Sequence, residues 1–248
     1  MRIVDRPSPN HDERPQGGAV DILVLHYTGM KTGEEALARL CDPAAKVSAH
    51  YTIDRDGTVY AHVPEDRRAW HAGLSYWAGE RNVNARSIGI EIVNPGHEYG
   101  YIPFADEQME SLIDLSRGIF ERHSIVPARV VAHSDVAPAR KEDPGELFPW
   151  KCLSEYSIGL WPEARSPKNG GTVPAAVTDK DAAASLARFG YGVPPEVDVP
   201  MEKVIAAFQR HYRTAKIDGA WDDECGRILA GLLEQMNKTS SSDAAIKA

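Results

Sequence analysis

Five residues of this chain have types that could together carry out metal-assisted hydrolysis. His26 closes the apolar run "ILVLH", Glu91 interrupts "IGIEIV", and His133 closes "VVAH". Lys141 and Asp143 follow in the proline-containing loop "VAPARKEDPG". Two imidazoles and one carboxylate form a common three-ligand set for zinc, with a fourth position left for water. A second carboxylate is then free to act as a base, and a lysine can stand beside developing negative charge. Each residue also has a structural reading. A strand-end histidine can serve only as a hydrogen-bonding group, a glutamate can pair with an arginine, and an aspartate before Pro144 can open a turn. Glu91 is the most demanding of the five, because a carboxylate in an apolar strand needs a partner, a raised pKa or access to water. The histidines lie on separate segments, so the set exists only if the fold brings them together.

The elements that must do so follow from periodicity. "DILVLHYTG" predicts a buried strand stopped by Gly29, and "EEALARLCD" a short helix. "SAHYTIDRDGTVYAHV" predicts two strands around an Asp-Arg-Asp-Gly turn. In "SIGIEIVN", Ile88, Ile90 and Ile92 share one face, with Gly89 and Glu91 on the other. A glycine beside the carboxylate leaves room for another group to approach closely. Likewise, His133 shares a face with Val131. Between Phe104 and His123, Met109, Leu112, Ile113, Ile119 and Phe120 fall at helical spacing, and "ARVVAH" is the next strand. Strands interleaved with helices predict an α+β fold: a central mixed sheet flanked by helices.

The composition changes after Pro162. "EARSPKNGGTVPAAV" reads as a linker, and three amphipathic helices follow, with Val204, Ile205 and Phe208 on one stripe and Ile228, Leu229, Leu232 and Met236 on another. The expected division is a catalytic domain at 1–163, a linker at 164–177, a small three-helix domain at 178–237 and a disordered tail at 238–248. A net charge of −8 argues against nucleic acid or anionic lipid as the main partner. No stretch approaches the roughly 20 apolar residues of a membrane span. The start, "MRIVDRPSPNHDERP", has no apolar leader core, which favours the cytoplasm, or the periplasm if a leader precedes it. Cys41, Cys152 and Cys225 are too scattered for a disulfide framework or a metal clip. Walker, dinucleotide, HExxH and GxSxG signatures are absent.

"LVLHYTG", "SAHYTIDRDGTVY", "AWHAG", "SIGIEIVN" and "VVAHSDVAPARKEDPGELFPW" occur in order, and together they resemble the zinc-dependent N-acetylmuramoyl-L-alanine amidases of the AmpD/AmiD type. That amidase-2 group shares its fold with peptidoglycan recognition proteins. The segment "ARFGYG…AAFQRHYR…IDGAWDDE" resembles the helical peptidoglycan-binding module fused to such enzymes. The resemblance implies one Zn²⁺ held by His26, His133 and Asp143, with Glu91 as acid/base and Lys141 supporting the transition state. It implies peptidoglycan or muropeptide as substrate and leaves Cys152 without a metal role. Two alternatives stand beside it: a binding-only recognition protein, which would have a damaged ligand set, and a phage-type or secreted lysin acting on polymeric wall.

The remaining assignments are secondary. Trp70 and His71 are read as groove lining, and His50 and Tyr51 as core or support for the metal site. His50, Tyr27 and Asn94 are carried as substrate contacts. His62, His97, His123 and His211 are read as surface or helix-end residues, and "QRHYR" as a solvated helix face.

Overall fold

The computed structural model describes residues 1–16, 18–162 and 175–246. Its strands are β1 (Ile3–Asp5), β2 (His11–Glu13), β3 (Ile22–Tyr27), β4 (Tyr51–Ile53), β5 (Val59–Ala61), β6 (Arg67–Ala69), β7 (Ser87–Ile92) and β8 (Val130–Ala132). Its helices are α1 (Gly33–Cys41), α2 (Val83–Arg86), α3 (Gly96–Tyr99), α4 (Asp106–Arg122), α5 (His133–Val136), α6 (Trp150–Ser154), α7 (Asp179–Phe189), α8 (Met201–Tyr212) and α9 (Asp223–Ile246). A mixed sheet runs in the order β1-β5-β4-β7-β3-β8, and β2 and β6 pair separately. Within the large sheet β4 and β5 form the expected antiparallel hairpin, and the other pairings are parallel.

Strands β3 and β7 lie inside the sheet and are covered on both faces, which explains their apolar runs. Leu23, Leu25, Ile88, Ile90 and Ile92 pack against Met109, Leu112 and Ile119 of α4. Ile22, Val24 and Val131 point the other way, into a core shared with Trp77, Leu186, Phe189, Tyr191, Phe208 and Leu229. The helical segment therefore closes one face of the sheet with continuous apolar packing, whereas the sequence pattern suggested a small bundle of its own.

Most of the expected linker, 164–174, lies outside the described residues. At its end, Val177 donates its N–H to Gly226 O and accepts from Trp221 Nε1, both at 3.1 Å. α9 continues to Ile246, so the tail expected from Lys238 is helical up to that residue. His62 is not a surface residue. It is buried, with Nδ1 donating to Arg6 O at 2.7 Å and Nε2 accepting from Thr52 Oγ1 at 2.9 Å.

Register decides where the chemistry gathers. His26 pairs with Glu91, and Leu25 with Ala132, the residue before His133. Parallel neighbours about 4.8 Å apart show paired side chains on the same side. His26, Glu91 and His133 thus emerge together at the carboxyl ends of three adjacent strands, on the face of Val24, Gly89 and Val131. That is the face covered by α7 to α9.

Candidate active site and metal centre

The strand ends open into a cavity of about 450 Å³ lined by Tyr27, Trp70, His71, Glu91, His133, Lys141 and Asp143, among others. The loop that brings Asp143 back is pinned at both ends. Lys141 N–H donates to Ala137 O at 3.1 Å, and Ser134 N–H to Asp143 O at 3.0 Å. Beyond it, Tyr101 Oη donates to Pro144 O at 2.6 Å.

Three ligand atoms converge there. His26 Nδ1 lies 2.9 Å from His133 Nδ1, and each lies 3.0 Å from Asp143 Oδ2. All three residues are buried, and their ligand atoms form a cluster that could hold a metal ion. The surrounding hydrogen bonds fix the protons. Ser87 Oγ gives its proton to Val83 O at 2.7 Å, so it accepts from His71 Nε2–H at 3.1 Å. His71 Nδ1 must then accept from His26 Nε2–H at 3.0 Å. His133 Nε2–H donates to the carbonyl of Ala72 at 3.1 Å. In the neutral rings both Nδ1 atoms therefore carry bare lone pairs. Two lone pairs and a carboxylate oxygen facing one another at these distances repel unless a cation stands among them. Their separations are close to the roughly 3.3 Å expected between ligands about 2.0 Å from a tetrahedral zinc ion, so the set fits that metal.

Electrostatics agree with this arrangement. Burial, with the neighbouring His133 as the next cause, lowers His26 to about 4, and burial also holds His71 well below its ordinary value, so both rings are neutral near pH 7. Burial alone would raise Asp143, but positive charge on its His133 and His26 side outweighs burial and holds the carboxyl far below the usual range; with the imidazoles neutral, a bound cation would supply that charge. Glu91 behaves oppositely. Burial first, and the charge of Asp143 second, push its carboxyl well above the ordinary value, against the pull of Lys141. Its Oε2 is buried without a hydrogen-bond partner. A carboxylate left unpaired beside a cluster of cation ligands is poised to exchange a proton with something in the cavity.

The family described as N-acetylmuramoyl-L-alanine amidase matches residues 16–146, a span that includes all five of these residues. The chain belongs to this family. It is 38% identical to N-acetylmuramoyl-L-alanine amidase AmiD of Escherichia coli over 94% of this chain and 91% of that one. It is 37% identical to 1,6-anhydro-N-acetylmuramyl-L-alanine amidase AmpD of Enterobacter cloacae over 58% of this chain and 84% of that one. Among solved structures, E. coli AmiD in complex with anhydro-N-acetylmuramic acid-L-Ala-D-gamma-Glu-L-Lys superposes with a TM-score of 0.76, at 37% identity over 90% of this chain and 93% of that one. AmpDh3 of Pseudomonas aeruginosa in complex with anhydromuramic pentapeptide gives 0.78, at 33% identity over 90% and 94%.

In this amidase the secondary assignments divide. Trp70 and Tyr27 line the cavity. Tyr27 Oη pairs with His97 Nδ1 at 3.0 Å, and burial, reinforced by Asp143, pushes its phenol up to about 12. His71 borders the cavity, but both its ring nitrogens are spent on His26 and Ser87, so neither is free to bond a molecule there. His50 is fully buried away from the cavity, accepting from Gly89 N–H at 3.0 Å and donating from Nε2 to Arg67 O at 3.2 Å. Asn94 is also fully buried, donating to Ile102 O and accepting from Gly96 N–H, so it shapes the turn after β7 and does not face substrate. Sequence reasoning gave Asp135 and Ser87 no role and left His71 as lining, although the space predicted above Gly89 was the signal for His71.

The ring of His71 fills that space. A Cβ at Gly89 would overlap His71 Cγ, and the ring is held at both nitrogens. Gly89→Ala is expected to displace His71, destabilise the protein by about 1–3 kcal/mol as overpacking does, and weaken zinc binding by loosening His26. Denaturant midpoints and a zinc titration check it; unchanged zinc affinity would mean that His71 does not orient His26.

Proposed function

We propose that this amidase hydrolyses the amide between the lactyl group of N-acetylmuramic acid, or its 1,6-anhydro form, and L-alanine of the peptidoglycan stem peptide, in wall turnover and recycling. Zinc would be held by His26, His133 and Asp143. The observation that carries the reading is the trio of bare acceptor atoms, 2.9–3.0 Å apart, beside the unpartnered Oε2 of Glu91. The muramyl-peptide substrate is taken from the AmiD and AmpDh3 complexes. A binding-only protein on this fold would need neither the intact trio nor the unpaired carboxylate.

Amides hydrolyse slowly because the carbonyl is resonance-stabilised and the amine leaves poorly. A zinc ion held by the trio would supply Lewis acidity for the carbonyl and acidify the attacking water. Glu91 takes the proton of that water as the C–O bond forms, and passes it to the L-alanine nitrogen as the C–N bond breaks. Its raised pKa suits a group that must hold the proton between those two steps. Lys141, on the cavity wall, faces the oxyanion of the tetrahedral intermediate, and losing one such donor typically costs about a hundredfold or more. The Ser87–His71–His26 chain keeps the ligand nitrogen of His26 free of a proton. The helical segment 178–237 is read as a peptidoglycan-binding unit, through surfaces other than the α8 face turned to the sheet.

The test is mass spectrometry of products from anhydro-muropeptides and from intact sacculi, with and without chelator. Release of free stem peptide beginning with L-alanine, lost on chelation and restored by zinc, is expected. Cleavage that survives exhaustive chelation would overturn the zinc assignment, and zinc-loaded protein that cleaves neither substrate would overturn the activity.

A further inference from the structure

The segment "QRHYR" at the end of α8 turns inward and is not a solvated face. His211 is 1% exposed and sits between the rings of Trp150 and Tyr212, with centroids 3.8 and 3.9 Å away. Its Nδ1–H donates to Asp135 Oδ2 at 2.6 Å. Asp135 is itself 1% exposed. The same Oδ2 accepts from Ala132 N–H at 2.8 Å, and Oδ1 accepts from Tyr191 Oη at 2.6 Å. One buried carboxylate thus ties the last residue of β8 to two side chains of the helical segment. His133 follows Ala132 directly, and the next N–H, that of Ser134, holds Asp143 O at 3.0 Å. A second contact lies close by. Arg210 Nη2 is 3.3 Å from Glu142, the residue before Asp143, and its Nε is 3.8 Å from Glu146.

We propose that α8 is an internal support for the metal centre. His211, acting through Asp135, sets the turn from which His133 and Asp143 present their ligand atoms. This rests on the zinc reading above and adds a positioning residue contributed by the helical segment. A buried carboxylate holds a backbone turn only while its donors are in place, because each lost donor leaves it less compensated for its burial.

The experiment uses the full chain with two substitutions. His211→Phe keeps a ring between Trp150 and Tyr212 but has no donor. His211→Asn places an amide nitrogen where Nδ1 stands and gives up the stacking. Zinc affinity is measured by competition with a chromophoric chelator, beside the denaturant midpoint of the metal-free protein, kcat and KM. Groups that orient metal ligands are typically worth ten- to a hundredfold in affinity, so H211F should bind zinc about that much more weakly, and H211N should return to within about threefold of wild type.

A purely structural role predicts the reverse ranking, with H211F the nearer to wild type. H211F that holds zinc as tightly as wild type overturns the proposal, whatever its stability. If H211F does not fold, Tyr191→Phe, which removes one hydroxyl from the same carboxylate, should weaken zinc binding about tenfold, and unchanged affinity there overturns the proposal equally. A wild-type chain that binds zinc but cleaves no muropeptide sinks the functional reading alone, since this inference is read from affinities; one that binds no zinc sinks both.

Discussion

Glu91→Gln is expected to reduce kcat by about a thousandfold or more, in line with the 10²–10⁴ that positioned acid–base groups contribute, while zinc stays bound. Glutamine keeps the shape of the side chain on β7 and cannot accept the water proton. The proposed zinc ligands are His26, His133 and Asp143, and Glu91 is not among them. His133→Ala should do the opposite and lose the metal first.

A second consequence separates Glu91 from an ordinary structural carboxylate. Its folded pKa is raised above the unfolded value of about 4.5 by burial and by Asp143. Below that unfolded value both states are protonated and the residue costs nothing. As pH rises, the unfolded chain ionises while the folded carboxyl resists, so stability falls until the folded pKa is passed. The metal-free Gln variant should therefore be more stable than wild type at pH 7, with the difference vanishing near pH 4. Zinc content, kcat and denaturant midpoints at the two pH values test this together. A variant within tenfold of wild-type kcat would remove Glu91 as the base, and one less stable at pH 7 would mean that the burial of its charge carries no penalty.

Much of this site was legible because sheets obey a period of two. Once Ile88, Ile90 and Ile92 were read as one face, Glu91 and Gly89 had to share the other, and the ends of "ILVLH" and "VVAH" supplied histidines at matching strand termini. Strand order and register were not legible, because pairings between distant strands leave no local trace. Nor was the identity of the group above Gly89, since "AWHAG" enters the site from the end of β6.

The end of α8 is buried where "QRHYR" predicts a solvated face. The sequence pattern places Val204, Ile205 and Phe208 on the buried stripe of α8, and His211 and Tyr212 continue it at the seventh and eighth positions after Val204. A polar residue on an apolar stripe signals a buried partner. Here the partner, Asp135, stands 76 residues earlier, inside the "AHSD" motif. His50 and Asn94 err in the opposite direction: polar residues near a site in sequence are consumed by backbone groups that only the folded turn brings close.

Ending the chain after Pro162 is expected to lose the folded state and, with it, zinc binding. The face of the sheet that carries the ligands is closed by α7 to α9. Ile22, Val24, Val131, Val136 and Ala137 share one core with Leu186, Phe189, Tyr191, Val204 and Phe208. Uncovering even four of the larger sheet-side residues costs on the order of 6–12 kcal/mol at about 1.5–3 kcal/mol each, which is comparable to the whole stability of a domain, about 5–15 kcal/mol. The patch so exposed would be contiguous and would favour aggregation. Asp135 would simultaneously lose Tyr191 and His211, keeping only the Ala132 N–H of its three donors while still beside His133. A chain ended after Lys238 keeps every residue of that core and serves as the control. Soluble yield, denaturant midpoint and zinc affinity of the two truncations decide the matter. If residues 1–162 fold with the control's midpoint and bind zinc as tightly, the shared core is dispensable and α8 supports nothing at the metal centre.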